Sequence, residues 1–510
     1  MNNRKKLWGV LAILLVCIVA TAAQQVPPQK APPDAIQEAQ KPTSPAVDRP
    51  EQSRTTHDQS AIFGAANAKP ASDVSESQPK MGKVSGFDFY RDPLNSDVPN
   101  TNPADIMKKE SANKQNVMNA QRQLMEHRYI LTPKTDPAVK MSRGKLVPIG
   151  PTARLPQGVT WDQLGAMAPG DIRQRDIFPY KSLPHPLQAN GGMVFPRIQL
   201  DMFPRLERFD VDFDIPDAFI PEFPPAIFLS SRPELGDVSR GEVVSINNYY
   251  RLFKDILTPV QLDGLRLLVT PFPQEEFNPT DDRKTVDPSL GVACLDCHIN
   301  GHTTGQFHLS PDIRPQERRF RVDTVSLRGV NNQQIHGSKR SLRSVEDFTE
   351  FEQRTAYFNG DQIHAIKKGM NILDRIQVSH MAQIQNMFDF PPAPKLNTVT
   401  GRLIRATATD SEIRGEELFY GKAQCSLCHS GVAFMDNQLH DLHVERFLKD
   451  EPGDGPIKTF TLRGIKDSPP YMHDGRALTL EDTVEFFNLV LQLKLNAQEK
   501  KDLVAFMRQL

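Results

Sequence analysis

Two short cysteine motifs constrain this chain more than any other feature. They read Cys294-Leu295-Asp296-Cys297-His298 and Cys425-Ser426-Leu427-Cys428-His429, and they begin 131 residues apart. Of the five cysteines, only Cys17 lies outside them, in an N-terminal apolar run. Each motif places two thiols three positions apart, with an imidazole directly after the second. We call residues 294–298 the first motif and residues 425–429 the second motif; any fold must present this set of side chains twice.

This spacing is typical of covalent haem attachment. Two such thiols can each add to one vinyl group of a haem, and the following imidazole can bind the iron. A disulfide would not require a histidine in both copies, and a redox-active dithiol would be expected near a βαβ pattern. A zinc site could use the first motif with His302, but the second motif has no matching histidine. We therefore predict two covalently attached c-type haems. The predicted cofactor-binding residues are Cys294, Cys297, His298, Cys425, Cys428 and His429, with His298 and His429 as iron ligands.

The N-terminus resembles an export signal. A short basic stretch precedes an apolar run over residues 7–20, and Ala20-Thr21-Ala22 supplies small residues at a cleavage site. A retained membrane anchor is the alternative, but about 20 apolar residues are needed to span a bilayer. We predict a cleaved signal peptide over residues 1–22 and a periplasmic or otherwise exported protein, in which Cys17 leaves with the signal.

The segments that follow the signal carry no motif. Residues 23–80 are rich in Pro, Gln and Ser without an apolar period, so they cannot offset their ordering entropy, and we predict a disordered tether. Residues 81–214 form an irregular N-terminal region of unknown role, with one helix expected over residues 103–129. The formal net charge of −1 gives no reason to expect a nucleic-acid partner.

The text after each motif recurs at an offset of 135 residues. Residues 324–330 match residues 459–465, and residues 344–348 match residues 479–483. This period is too long for a stacked-repeat protein and indicates a duplicated domain. We predict a mainly α fold with two tandem cytochrome c-like haem domains, over residues 215–400 and 401–510. Expected helices precede the motifs, at 258–268 and 410–419, and an amphipathic helix at 496–510 closes the second domain.

The second domain carries further recognisable text. It includes Gly415-x-x-Leu418-Phe419, Phe434-Met435-Asp436-Asn437-x-x-His440, Phe460-Thr461-Leu462-Arg463, Tyr471-Met472-His473-Asp474-Gly475-Arg476 and Leu503-Val504-Ala505-Phe506. With the two haem motifs, this text resembles the bacterial dihaem cytochrome c peroxidase family, including its maturation-type enzymes, and more weakly the dihaem rubber oxygenases. The resemblance begins near residue 215.

The resemblance implies a division of labour between the two haems. Hydrogen peroxide or another oxidant would react at the N-terminal haem, and the C-terminal haem would accept and relay electrons. It also implies a small electron-donor protein, either a cytochrome or a cupredoxin, and a possible Ca²⁺ ion between the haem domains.

Sixth ligands decide which haem can react, because a vacant position admits an oxidant whereas a firmly held ligand makes an electron carrier. For the second haem we predict Met472, which lies 43 residues after His429. His473 is an alternative, and Phe487 stands where the family often has its methionine. The counterpart of Tyr471-Met472-His473 in the first domain is expected to be Ile335-His336-Gly337. The candidate distal ligands of the first haem are His302, His308 and His336.

The resemblance also implies distal catalytic residues and an interhaem path. The family's distal glutamine and glutamate fall on Gln334 and Glu346, and the glutamate would act as general acid and base. The intervening stretch is two residues longer than in the family and lacks its aromatic-Asp-Gly-Arg text. Family members often have a tryptophan between the haems, whereas Trp161 lies far upstream. Tyr357, Tyr420 or Tyr471 could substitute for it, or electrons could tunnel directly.

The favoured function is therefore an exported dihaem oxidoreductase of the peroxidase type. Two alternatives share the same cofactor. One is an electron-transfer protein with both irons six-coordinate, and the other is an oxygenase that acts on an organic substrate. A binding or structural module without haem is the fourth hypothesis.

Overall fold

The computed structural model describes residues 103–181, 215–270, 293–305, 307–308, 322–339, 341–352, 373–449 and 455–510. All of them belong to one unit, Met81–Leu510. The expected signal peptide and tether lie outside the described residues, as does Tyr357. Within the described ranges, no helix combines the length and the apolar character that a membrane crossing requires.

The described residues are rich in helices and contain only short strands, which confirms the mainly helical part of the expected fold. The α-helices are α1 (Pro103–Arg128), α2 (Trp161–Ala166), α3 (Pro169–Arg175), α4 (Tyr249–Phe253), α5 (Pro259–Leu268), α6 (Cys294–Cys297), α7 (Val345–Phe351), α8 (Arg375–Gln385), α9 (Asp410–Tyr420), α10 (Leu480–Val490) and α11 (Ala497–Met507). The strands form four antiparallel pairs: β1 (Thr135–Lys140) with β2 (Leu146–Pro148), β3 (Phe307–His308) with β4 (Val322–Asp323), β5 (Leu396–Asn397) with β6 (Arg402–Leu403), and β7 (Leu439–His440) with β8 (Ile457–Lys458).

The expected helices beside the motifs are confirmed, and their starts have a local cause. Thr258, Thr409 and Asn496 are the N-caps of α5, α9 and α11, and each forms a capping box with the residue three positions later. Such boxes satisfy two of the N–H groups that a helix start leaves unpaired. The expected helix over 496–510 ends at Met507, because the last residues form tighter turns.

Two helix pairs build the cores beside the motifs. Helix α5 packs on α8, and α9 packs on α11, and in each pair the backbones approach most closely at a glycine. A Cβ atom on Gly264 would lie 2.0 Å from the carbonyl oxygen of His380, and one on Gly415 would lie 1.9 Å from that of Asp502. No larger residue fits at either crossing without separating the helices.

Further features recur at the offset of 135 residues. Gly329 and Gly464 have φ values of 70° and 71°, and each precedes a single 3₁₀ turn. Strand pairs β3–β4 and β7–β8 precede these turns, and helices α7 and α10 follow them. The chain between the two units packs on both glycines, since Phe390 faces Gly329 and Pro391 faces Gly464.

One expected correspondence between the two halves is wrong by one residue. An isolated β-bridge joins His336 to Leu342 in the first half, and the equivalent bridge joins Tyr471 to Ala477. The counterpart of Tyr471 is therefore His336, and that of Met472 is Gly337. Gly337 and Met472 also share a positive φ, 90° and 74° respectively. Side-chain similarity could not reveal this register, because the two segments are held by backbone pairing.

The N-terminal region packs on the second half of the molecule. Its buried side chains, Tyr129 and Phe178 among them, share one apolar core with Phe486 of α10. The hydroxyl of Tyr129 donates to the carbonyl oxygen of Arg476 at 2.7 Å. The buried carboxylate of Asp482 accepts hydrogen bonds from the main-chain N–H groups of residues 152 and 153, at 2.7 and 3.0 Å. This region therefore supports the helix that follows the Met472 segment.

The helix crossing at Gly415 gives a stability prediction. We expect Gly415→Ala to destabilise the protein by about 1–3 kcal/mol or more, because the methyl group must push α9 away from α11. Gly165→Ala is the matched control, since Gly165 in α2 has open space around its Cβ position. Alanine there should be neutral or stabilising by up to about 1 kcal/mol. Thermal unfolding of the two variants tests this, and an unchanged melting temperature for Gly415→Ala would contradict the packing.

Candidate functional site

Both motifs lie on a single tight turn that ends at their histidine. Residues Cys294–Cys297 form the one-turn helix α6, and Cys425–Leu427 form a 3₁₀ turn. In each motif the N–H of the histidine donates to the carbonyl oxygen of the first cysteine, at 3.1 Å for His298 and 2.8 Å for His429. None of the four cysteines is in a disulfide. The disulfide alternative therefore has no support in this structure.

The two motif histidines have the same hydrogen-bonded state. Nδ1 of His298 donates to the carbonyl oxygen of Val325 at 2.8 Å, and Nδ1 of His429 donates to that of Phe434 at 2.9 Å. A carbonyl oxygen can only accept, so Nδ1 carries the proton and Nε2 keeps its lone pair. Burial lowers the pKa of His298 to about 4 and also lowers the pKa of His429. Both imidazoles are therefore neutral and fixed in the tautomer that a metal ligand needs.

His429 and Cys428 line a cavity of about 270 Å³. Met472 and His473, the two sequence candidates for the sixth ligand, lie in the same wall, together with Phe487. Met472 is half-buried and has a left-handed backbone with φ 74°, which is uncommon for a residue with a side chain. Such strain is often retained at functional sites. The structure thus brings the second motif and its expected distal segment to one cavity.

The residues of the second motif fit a c-type haem. Its donor set is two thiols and a neutral imidazole, and the cavity beside them exposes far more apolar than polar surface. Burial raises the pKa of Cys425 to about 12 and also raises the pKa of Cys428, so neither thiol is a thiolate poised for redox exchange. The first motif has the same donor set, with the same histidine tautomer.

The first-motif zinc alternative is not assembled in the described residues. His302 is buried, and its Nε2 donates to the carbonyl oxygen of Asp467 at 2.9 Å while Nδ1 accepts from the hydroxyl of Ser326 at 2.7 Å. Both ring nitrogens are therefore occupied by protein groups. His302 also does not join the motif cysteines and His298 in any group of three or more candidate ligands with atoms within 4.8 Å of one another. These contacts also leave His302 no nitrogen for a haem iron.

Two other histidines were candidates for the first haem. His336 is buried, and burial together with the charge of Lys458 lowers its pKa to about 4, against the opposing effect of Glu346. For His308 the structure describes the backbone, in β3, and the side chain lies outside the described residues. A neutral His336 stays a candidate ligand by its protonation state.

Curated relatives share this dihaem arrangement. Cytochrome-c peroxidase IdrP1 from Pseudomonas sp. (strain SCT) is 29% identical over a 150-residue alignment, covering 20% of this chain and 40% of the relative. Methylamine utilization protein MauG from Methylorubrum extorquens is 32% identical over 120 residues, covering 19% and 33%. Cytochrome c551 peroxidase from Nitrosomonas europaea is 32% identical over 113 residues, covering 19% and 34%. The chain belongs to the dihaem cytochrome c peroxidase family.

The extent of these similarities is limited. The chain spans between a third and two fifths of the length of these relatives. No family model matches it. A solved MauG-like protein associated with microbial copper homeostasis is 17% identical over 58% of this chain and 94% of that chain, with a TM-score of 0.35. A TM-score this low supports no inference about fold or function.

The family's distal catalytic positions lie outside the cavity. Gln334 is exposed, and its N–H donates to the side-chain oxygen of Asn437 at 2.9 Å. Glu346 is half-buried in the first turn of α7, close enough to His336 to raise its pKa. The structure therefore associates Glu346 with His336, while Gln334 contacts the second half of the molecule through its backbone.

The aromatic candidates for an interhaem path have distinct surroundings. Tyr471 is buried in the cavity wall, and burial raises its pKa. The hydroxyl of Tyr420 donates to the carbonyl oxygen of Gly401 at 3.2 Å, beneath the guanidinium of Arg402. Trp161 packs edge-on against Phe178 in the N-terminal region. Of these residues, only Tyr471 lines the cavity.

Sequence reasoning missed two charged residues of the cavity wall, Asp323 and Lys458. They occupy equivalent positions, one residue before the recurring text at 324 and 459. Burial raises the pKa of Asp323 well above its usual range, and its Oδ1 atom has no hydrogen-bond partner. A charged residue next to each copy of a repeat was the available signal, but the two charges differ in sign and so did not read as a shared feature.

The buried state of His302 gives a pH prediction. Burial holds its pKa well below the value of about 6.5 that it has in an unfolded chain. The unfolded state therefore takes up a proton near pH 6.5 that the folded state refuses, and stability falls as the pH drops below that value. We expect His302→Gln to reduce this loss between pH 7 and pH 5 by up to about 1.4 kcal/mol per pH unit.

Denaturant unfolding at several pH values measures this difference. His127→Gln is the control, because His127 is exposed and should leave the pH dependence as it is in the wild type. If His302→Gln showed the full wild-type loss of stability in acid, His302 would not be the buried neutral imidazole described here.

Proposed function

We propose that this protein is an exported dihaem c-type oxidoreductase that reduces hydrogen peroxide with electrons from a small donor protein. Electrons would enter at the haem of the second motif, and peroxide would react at the haem of the first motif. Export would follow from the signal peptide over residues 1–22. The observation that carries the proposal is the shared state of His298 and His429, each neutral with Nδ1 bonded to a carbonyl oxygen. It is supported by the family membership.

The residues that would hold the two groups are those of the motifs. Cys294 and Cys297 would attach the first haem, and Cys425 and Cys428 the second, with the motif histidines as proximal ligands. When bound, the first group would supply the iron for reaction with peroxide, and the second would supply a site that stores and passes on electrons. The hydrogen bonds to Val325 and Phe434 orient the two imidazoles and increase their basicity as ligands.

Different surroundings of the two sites support different tasks. The cavity at the second motif contains Met472, whose thioether would raise the reduction potential of the group held there. At the equivalent position the first half has Gly337, which offers no ligand. A site without a fixed methionine is better suited to admit an oxidant, whereas a site with one is better suited to carry electrons.

Reduction of peroxide to water consumes protons, and Glu346 is the proposed residue that delivers them. Its carboxylate lies within electrostatic reach of His336, and both belong to the first half. A carboxylate and a neutral imidazole can exchange a proton without a large charge separation. Their positions on α7 and on the preceding bridged segment fix both relative to the first unit.

Haem attachment is tested by removing thiols. We expect the double substitution Cys425→Ser with Cys428→Ser to lower the covalent haem count from two to one per chain, because serine forms no thioether. Cys294→Ser with Cys297→Ser should lose the other haem. Pyridine haemochrome assay and intact-protein mass spectrometry give the count. An unchanged count, or zinc without iron in metal analysis, would rule out the assignment.

The activity is tested on the exported, haem-loaded protein. We expect a high-spin signal that appears after partial reduction, and peroxide-dependent oxidation of a reduced donor. Glu346→Gln should lower that rate by about 10²- to 10⁴-fold with unchanged spectra, as loss of a general acid does. Glu350→Gln on the same helix is the control, because Glu350 instead pairs with Arg375. Two low-spin haems that do not react with peroxide would favour electron transfer alone, and oxygen uptake with a hydrophobic substrate would favour the oxygenase alternative.

A further inference from the structure

Lys458 is a buried cation in the wall of the second-motif cavity. It lies at the end of β8, and only 3% of the residue is exposed. The same wall contains His429 and Met472. Lysine is rarely this buried without an anionic partner, because removing an ammonium group from water is costly.

The protein supplies this ammonium with neutral partners only. Nζ of Lys458 donates to the side-chain oxygen of Gln333 and to the carbonyl oxygen of Ile335, the latter at 3.2 Å. It also lies 4.4 Å from the ring centre of Phe460. No carboxylate of the described residues lies within salt-bridge distance of it. Burial accordingly lowers the pKa of Lys458 to about 7, which indicates that its charge is not balanced by the protein.

The other cations of this wall have different partners. Arg328 forms a buried ion pair with Asp467 at 3.2 Å. Arg463 donates to the main-chain oxygen of Leu510 at 2.9 Å and lies over the ring of Phe390. Lys458 is thus the buried cation of the wall that is left with a positive charge facing an apolar cavity.

We propose that Lys458 is a binding site for a carboxylate inside this cavity, and that a propionate of the attached haem occupies it. The inference rests on the proposed haem at the second motif, since haem c carries two propionate groups. A carboxylate at this position would balance the buried charge and form a charge-assisted hydrogen bond. Because Gln333 and Ile335 belong to the first half, the same ammonium would link the second haem to the first half of the molecule.

A cation bound in this way also affects the reduction potential. Positive charge near the iron disfavours the oxidised state, which carries one more positive charge than the reduced state. Loss of the ammonium would therefore lower the potential of the second haem. A lysine that merely held the loop at residues 333–335 would affect stability and leave the potential as it is.

The experiment uses the haem-loaded full chain and its Lys458→Met, Lys458→Arg and Lys501→Met variants. Spectropotentiometric titration at pH 7 gives the midpoint potentials of both haems. We expect the potential of the second haem to fall in Lys458→Met and to stay near the wild-type value in Lys458→Arg, which keeps the charge. Lys501→Met is the control, because Lys501 is exposed on α11, and it should shift neither potential.

Addition of acetate distinguishes the source of the carboxylate. A lowered potential in Lys458→Met with no effect of acetate on the wild type supports the propionate. An acetate effect on the wild type that Lys458→Met lacks supports a site for exchangeable carboxylates instead. Equal second-haem potentials in the wild type and Lys458→Met, without an acetate effect, would overturn the proposal.

These outcomes are separable from failure of the proposed function. Two attached haems without peroxide turnover would refute the peroxidase and still allow the potentials to be compared. Absence of the second haem in the wild type would refute the attachment on which both proposals rest, and the haem count detects that case first.

Discussion

The buried side chain and backbone of Asp467 hold three parts of this molecule together. Its carboxylate pairs with Arg328 of the first half at 3.2 Å, and its carbonyl oxygen accepts from His302, also of the first half, at 2.9 Å. The same carboxylate accepts from the N–H of Ser142 in the N-terminal region at 3.2 Å. Removing one member of such a buried ion pair typically costs about 3–5 kcal/mol, since the other charge is left uncompensated. The relative position of the parts therefore depends on a residue that has no direct role in haem binding.

This junction also shapes the cavity at the second motif. Arg328 and His302 line it, so the first half of the molecule closes a space whose haem-binding residues come from the second half. The N-terminal region acts on the other side, because it packs against Phe486 of α10, which is itself a lining residue. Neither haem unit can be understood as an independent small cytochrome, since the cavity of the second is completed by chain from the first.

The sequence predicted what depends on local pattern. Helices α5, α9 and α11 were found because capping residues and apolar periodicity mark them within a few positions. The haem motifs were found because their spacing is set by the geometry of one turn. The contacts of Asp467 with Ser142 and of Lys458 with Gln333 join residues 325 and 125 positions apart, and no local pattern encodes such contacts. The one-residue error at His336 has the same origin, because backbone bridges rather than side chains fix that register.

The duplication explains why the two sites can differ while their frames match. At equivalent positions the first half has Asp323, His336 and Gly337, and the second half has Lys458, Tyr471 and Met472. Asp323 and Lys458 nevertheless face the same cavity, because the N–H of Asp323 donates to the carbonyl oxygen of His473 at 2.9 Å. One cavity thus receives a buried carboxyl from one copy and a buried ammonium from the other. Copies that began alike have placed opposite charges around a single site, which is how a duplicated fold can give two chemically similar haems different potentials.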